Sequence, residues 1–147
     1  METYKVTVNK YSTIRWYNSK DEHHRVGGPA IEHSNGTKYW YKENHLHRTD
    51  GPACEHSDGS KAWWVNGKYH RADGPAVERI SGHKEWWVEG KRHRTDGPAV
   101  YHFDGYKEWY LEDVEYTEAE YNKKLQIPSC EGKVVEIDGK KYKLTGV

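Results

Sequence analysis

A His-Arg pair recurs in this chain at one fixed interval: His24-Arg25, His47-Arg48, His70-Arg71 and His93-Arg94 are each 23 residues apart. Residues of quite different character keep the same register. They are Gly36, Gly59, Gly82 and Gly105; Lys38, Lys61, Lys84 and Lys107; Trp40, Trp63, Trp86 and Trp109; and Pro29, Pro52, Pro75 and Pro98. Self-similarity at such a period marks a stacked architecture, in which each unit buries its apolar surface on its neighbours.

Each unit carries two turn signals between short strand-like runs. In EHSDGSKAWWVNGK, Asp58-Gly59 and Asn66-Gly67 are dipeptides that favour tight turns with positive φ. The runs around 53–56 and 61–65 have strand length and aromatic or β-branched content. A unit therefore reads as a β-hairpin followed by a bend into the next. A further hairpin, KVTV-NKYS-TIRWY, precedes the first copy and lacks the HRxDGP element.

The expected fold is mainly β, a meander of about five stacked 23-residue β-hairpin repeats over residues 1–113. Residues 114–147 close it, as part of the same domain or as a small appendage. YTEAEYNKKL stands where the next HRxDGPA is due, near residue 116, and Thr117 with Glu120 forms a capping box that predicts a short helix. KVVEI-DG-KKYKL then predicts a final hairpin about Asp138-Gly139.

Composition narrows the function. Only 34% of the 147 residues are hydrophobic, so 7 Trp and 12 Tyr must supply most of the buried area, which suits a thin, elongated structure. The 23 basic and 23 acidic residues are interspersed, with no basic block of the kind that carries nucleic-acid or membrane affinity. Cys54 and Cys130 lie far apart in unlike surroundings; nothing asks for a bridge, and Cys130 has no His or acid at a telling spacing. No apolar run approaches a membrane span and METYKVTV is not a secretion signal, so a cytoplasmic location is expected.

The repeated HRxDGPA invites comparison with an active site. Its copies are HRVGGPA at 24–30, HRTDGPA at 47–53 and 93–99, and HRADGPA at 70–76. An enzyme normally needs one site, whereas a stack needs the same corner in every unit. Asp50, Asp73 and Asp96 can hold the bend by accepting backbone hydrogen bonds ahead of them. The following Gly allows an unusual dihedral, Pro fixes φ at the strand start, and Arg can form a forked charge-assisted bond either locally or to the next unit. His47, His70 and His93 can stack or donate to a neighbouring carbonyl. These six His and Asp residues therefore read as a structural corner, and Gly27 replaces the Asp at the edge of the array. A ladder of His does not converge as metal ligands must, so no catalytic residue, metal or cofactor is expected.

Two aromatic rows remain. By strand alternation, Trp40, Trp63, Trp86 and Trp109 share a face with Ile31, Cys54, Val77 and Val100 as a core. Tyr41, Trp64, Trp87 and Tyr110 point the other way, towards Ala30, Ala53, Ala76 and Ala99. This second row either packs into a second layer of the curved sheet or forms exposed shelves. Shelves rimmed by Glu32, Glu55, Glu78 and by Arg48, Arg71 and Arg94 would dock a partner through their aromatic anchors.

The unit GxKxWWxxGKxHRxDGPA resembles the variant class of MORN repeats, found in bacterial YwqK-type antitoxin proteins and in many phage-encoded proteins. The likeness covers roughly residues 4–113. It implies a repeat sheet of β-hairpins that binds a protein partner, and it implies no enzyme. The expected function is a non-enzymatic, phage-encoded interaction module that binds and inhibits a host toxin or defence effector. The alternative is a small-ligand binder that stacks an anionic metabolite or nucleotide on the shelves with Arg at its phosphate. No Gly-rich phosphate loop before a helix accompanies that alternative.

Overall fold

The computed structural model describes residues 3–125, 134–137 and 140–143. The first hairpin is β1 (Lys5–Val8) and β2 (Ile14–Tyr17). The first repeat follows with β3 (Ile31–Glu32), β4 (Lys38–Tyr39), β5 (Tyr41–Lys42) and β6 (His45–Leu46). The second has β7 (Cys54–Glu55), β8 (Lys61–Ala62), β9 (Trp64–Val65) and β10 (Lys68–Tyr69). The third has β11 (Val77–Glu78), β12 (Lys84–Glu85), β13 (Trp87–Val88) and β14 (Lys91–Arg92). The fourth is β15 (Val100–Tyr101), β16 (Lys107–Leu111) and β17 (Val114–Tyr116), capped by α1 (Glu118–Leu125). A separate hairpin pairs β18 (Val134–Ile137) with β19 (Lys140–Lys143); the Asp138-Gly139 turn expected between them, and Cys130, lie outside the described residues.

The main sheet is an 11-stranded antiparallel meander in the order β1-β2-β3-β4-β7-β8-β11-β12-β15-β16-β17. Its hairpins close on three-residue loops: His33 and Thr37 bracket one, with Gly36 at φ +90°, and Gly59, Gly82 and Gly105 repeat it. Positive φ at that position is the bulge that ends such a loop, and it is why Gly holds the 23-residue register there. Asn35, Asp58 and Asp104 each accept the amide two residues on, as Asx turns.

A second set of hairpins was not distinguished in the sequence. β5–β6, β9–β10 and β13–β14 form their own two-stranded sheets on two-residue turns. Both turn residues have positive φ, as in Asn66 (50°) with Gly67 (74°) and Glu89 (50°) with Gly90 (80°). That is the type I′ geometry whose twist matches its flanking strands. The small and large hairpins meet at Trp40, Trp63 and Trp86. Each Trp donates its amide to the Ala carbonyl of the next unit (2.8 Å) and accepts the amide of the following His on its own carbonyl. Trp109 has no following corner, so β16 runs through it unbroken and pairs Trp109 with Tyr116.

Register assigns the faces differently from the expectation. Glu32, Lys38, Glu55, Lys61, Glu78 and Lys84 pair in succession across the sheet, so they line one face. Trp40, Trp63 and Trp86 lie two residues beyond these lysines and share that face. Tyr39, Cys54, Ala62, Val77, Glu85 and Val100 line the other, and Tyr41, Trp64 and Trp87 belong with them. The aliphatic positions thus face the second aromatic row, while the fully buried Ala30, Ala53, Ala76 and Ala99 sit beside the first. A one-residue offset in pairing exchanges all side chains between faces, which is why alternation from one strand end misassigned both rows.

The C-terminal end is closed as its sequence indicates. Thr117 Oγ1 accepts the Glu120 amide (3.3 Å) and Glu120 Oε2 accepts the Thr117 amide (3.0 Å), completing the capping box. Tyr121 is the buried residue of α1. Thr117→Ala is expected to cost about 1 kcal/mol in urea unfolding and to speed hydrogen exchange at the Gly97 amide, which the helix covers.

Candidate functional site: the clefts between repeat corners

Each HRxDGPA corner is built around its arginine. The guanidinium carbon lies over a Trp ring at 3.9 Å (Arg25 on Trp16), 4.1 Å (Arg48 on Trp40), 3.9 Å (Arg71 on Trp63) and 4.0 Å (Arg94 on Trp86). Against the opposite side of the guanidinium presses the backbone of the DGP turn. A Cβ built on Gly51, Gly74 or Gly97 would stand 2.9, 3.0 or 3.2 Å from the guanidinium carbon. Here glycine lets the turn approach the guanidinium more closely than a Cβ would; of the four corners, only Gly27 in the first has positive φ (76°).

The fork is then filled. Arg48, Arg71 and Arg94 donate from Nε to Asp50, Asp73 and Asp96, at 2.9, 2.8 and 2.7 Å. The Asp side chains thus bind their own Arg, where the sequence pointed to backbone amides ahead of them. Nη1 donates to the carbonyls of Pro52, Pro75 and Pro98 at 3.2 Å and, in the second and third corners, to Glu55 and Glu78. These three Asp carboxylates are held below their usual value of 3.8, chiefly by the Arg hydrogen bond. They nevertheless remain at the surface, with side chains 81, 84 and 80% exposed.

The histidines serve as acceptors. Nδ1 of His24, His47, His70 and His93 accepts the amide of Glu43, Asn66, Glu89 and Glu112, the first residue of the next small hairpin's turn. Glu89 and Glu112 also place carboxylate oxygens 3.0 and 2.8 Å from the same nitrogens. Among the described residues no three His, Cys, Asp or Glu side chains are grouped to hold a metal ion. Burial pushes the Cys54 thiol up to about 12.

Successive corners leave clefts between them. One of about 720 Å³ is lined by Arg48, Asp50, Gly51 and Pro52 on one side and by Trp63, His70, Arg71 and Asp73 on the other. The next, of about 490 Å³, repeats this lining one unit on, with Trp86 in place of Trp63. A third lies between the Arg25 and Arg48 corners beside Trp40. A fourth sits beside Trp109, where α1 replaces the missing corner. The clefts therefore combine Arg48, Arg71 and Arg94 with the aromatic row that the sequence placed in the core.

The other row is packed as a ladder. Trp64, Tyr69 and Trp87 stack with ring centroids 3.7 and 5.3 Å apart, and Arg92 continues the stack to Tyr110 at 3.9 Å. Tyr41 packs on His23, and Tyr110 is buried at 6% exposure. Trp87 donates from Nε1 to Glu85, whereas Trp64, with Ala62 at the matching position, leaves its buried Nε1 without a partner. Sequence periodicity could have found the cleft row, since its Trp never varies; what it lacked was the face. Comparison with known proteins finds no matching family model, no matching curated protein and no matching solved structure.

Arg71→Lys keeps the charge but loses the planar fork and its stack, and is expected to cost about 2 kcal/mol in thermal or urea unfolding. The Asp pKa values are depressed in the folded state, so their contribution is complete above the ordinary carboxylate range and is lost as pH falls through the folded value. The melting temperature should accordingly drop below about pH 4, and Asp73→Asn should flatten part of that drop; an identical acid profile would contradict the assignment.

Proposed function

We propose that this chain is a non-enzymatic protein-interaction module. The observation that carries the reading is the row of open clefts, repeated once per unit, with a Trp floor, a half-buried Arg and an exposed Asp lip. Stacked units turn one such cleft into a surface long enough for a macromolecule, and Trp and Arg are the residues that anchor protein contacts. Arg48, Arg71 and Arg94 each already carry an Asp, and Arg48 and Arg71 a Glu as well, so among the described residues the two clefts between these corners offer carboxylates and no unpaired Lys or Arg. That favours a protein over an anionic metabolite or nucleotide. Following the resemblance to variant MORN repeats, the specific form is a phage-encoded protein that acts in the host cytoplasm and inhibits a toxin or defence effector.

The test is capture from a bacterial lysate with the full chain as bait, repeated with Thr49→Arg combined with Ala72→Arg. Both residues are exposed, line the clefts and make no side-chain bond to the corner. One stoichiometric protein partner, held at least about tenfold less well by the variant with its circular dichroism unchanged, is the expected result. Undiminished capture by the variant would move the surface elsewhere, and a bait that holds no protein would overturn the reading.

A further inference from the structure

The fourth corner is filled by a side chain of the protein itself. There Tyr121 of α1 enters the cleft, and its hydroxyl bridges two backbone groups of the turn. It donates to the Arg94 carbonyl at 2.8 Å and accepts the Gly97 amide at 3.1 Å. Tyr121 is buried at 3% exposure, and Pro98 beneath it is buried, whereas Pro29, Pro52 and Pro75 are only half-buried. In the first corner a tyrosine meets a different group: Tyr4 accepts the Val26 amide, the counterpart of Thr95, at 3.2 Å and stacks on His24.

The two middle corners have the same groups and no such occupant. Among the described residues, the Arg48 carbonyl and Gly51 amide accept and donate no hydrogen bond, and neither do the Arg71 carbonyl and Gly74 amide. All four residues line the two clefts beside Trp63 and Trp86. A carbonyl and an amide converging on one point ask for a single atom that both donates and accepts, which among ionised or neutral side chains at neutral pH a hydroxyl supplies. Lysine, arginine and tryptophan only donate. A carboxylate only accepts, and it would meet the exposed Asp50 or Asp73 at the lip. Tyrosine adds a flat apolar body for the Pro and Trp walls, as Tyr121 does in the fourth cleft.

We propose that the Arg48–Pro52 and Arg71–Pro75 corners are receptors for tyrosine side chains presented by a partner protein. Each takes the phenol as the fourth corner takes Tyr121. This rests on the reading of the chain as an interaction module, and it names the side chain that the module recognises.

The test is a titration of the full chain with N-acetyl-tyrosinamide, followed through backbone amide resonances, with N-acetyl-phenylalaninamide as control. The Gly51 and Gly74 amides should move, and the Gly97 amide, already occupied, should not. Loss of two hydrogen bonds should weaken the phenylalanine analogue by roughly tenfold or more. Equal response to the two compounds, or no response at Gly51 and Gly74, overturns the proposal. Movement of those amides with protein concentration alone, together with a dimer in sedimentation, would assign the corners to a second copy and overturn it equally. Failure here leaves capture of a protein partner by another chemistry intact, so the two readings fall separately.

Discussion

The rest of the structure depends on one arginine per unit, clamped between an indole ring and a glycine backbone. The stack alone is a contact of modest strength, but the clamp joins three parts of the chain at once. Trp63 lies between β8 and β9, Asp73 and Gly74 in the turn that follows β10, and Glu78 in β11. The guanidinium is planar and carries five donors in a fixed fork, so it can stack and hydrogen-bond in the same position. This planar cation with its fork of donors is the physical reason for Arg, Asp, Gly and Pro in one short motif. The end copies show how much can be lost. Arg25 keeps its Trp, Pro and Glu partners with Gly27 in place of the Asp, and Arg94 keeps its Trp, Asp and Pro partners with Tyr101 in place of the Glu.

From this clamp follows the division of each unit into two hairpins. The Trp carbonyl and amide are both committed across the corner, so the strand cannot continue straight through. Beyond it the small hairpins stack on one another through the His Nδ1 atoms and through backbone bonds such as Gly67 to Leu46 and Gly90 to Tyr69. The large hairpins meanwhile form the wide sheet. A protein with few aliphatic residues is held together in this way by many repeated, short-range, directional contacts around small buried Ala, Cys and Val side chains.

Legibility in the sequence was uneven. The period, the hairpin meander, the Gly positions of the bulged loops and the Thr117–Glu120 capping box are local features, each fixed by chemistry within a few residues. That one corner of the same residues recurs in each unit was readable too, because its spacing is constant. The partner of each Asp was not, since a side chain two residues away competes with backbone amides only when it is locked in place by a ring from another strand. The aromatic rows were legible as rows but not as faces. Alternation left Trp64 and Trp87 as either a packed second layer or exposed shelves, and Tyr69 and Arg92, from the returning strands, fill the space between them.

By itself, then, the sequence determined a stacked β-hairpin array with one Arg-centred corner per unit and a helix to end it, because period, turn geometry and capping are short-range properties of the chain. Only the tertiary structure decided which aromatic row floors the clefts and which forms the packed ladder. It also decided that the middle corners keep an open carbonyl and amide while the matching pair in the fourth corner takes the Tyr121 hydroxyl. Those outcomes depend on pairing register and on residues brought together from about 20 or more positions apart, as Tyr4 with Val26 and Tyr121 with Gly97; no local pattern encodes them.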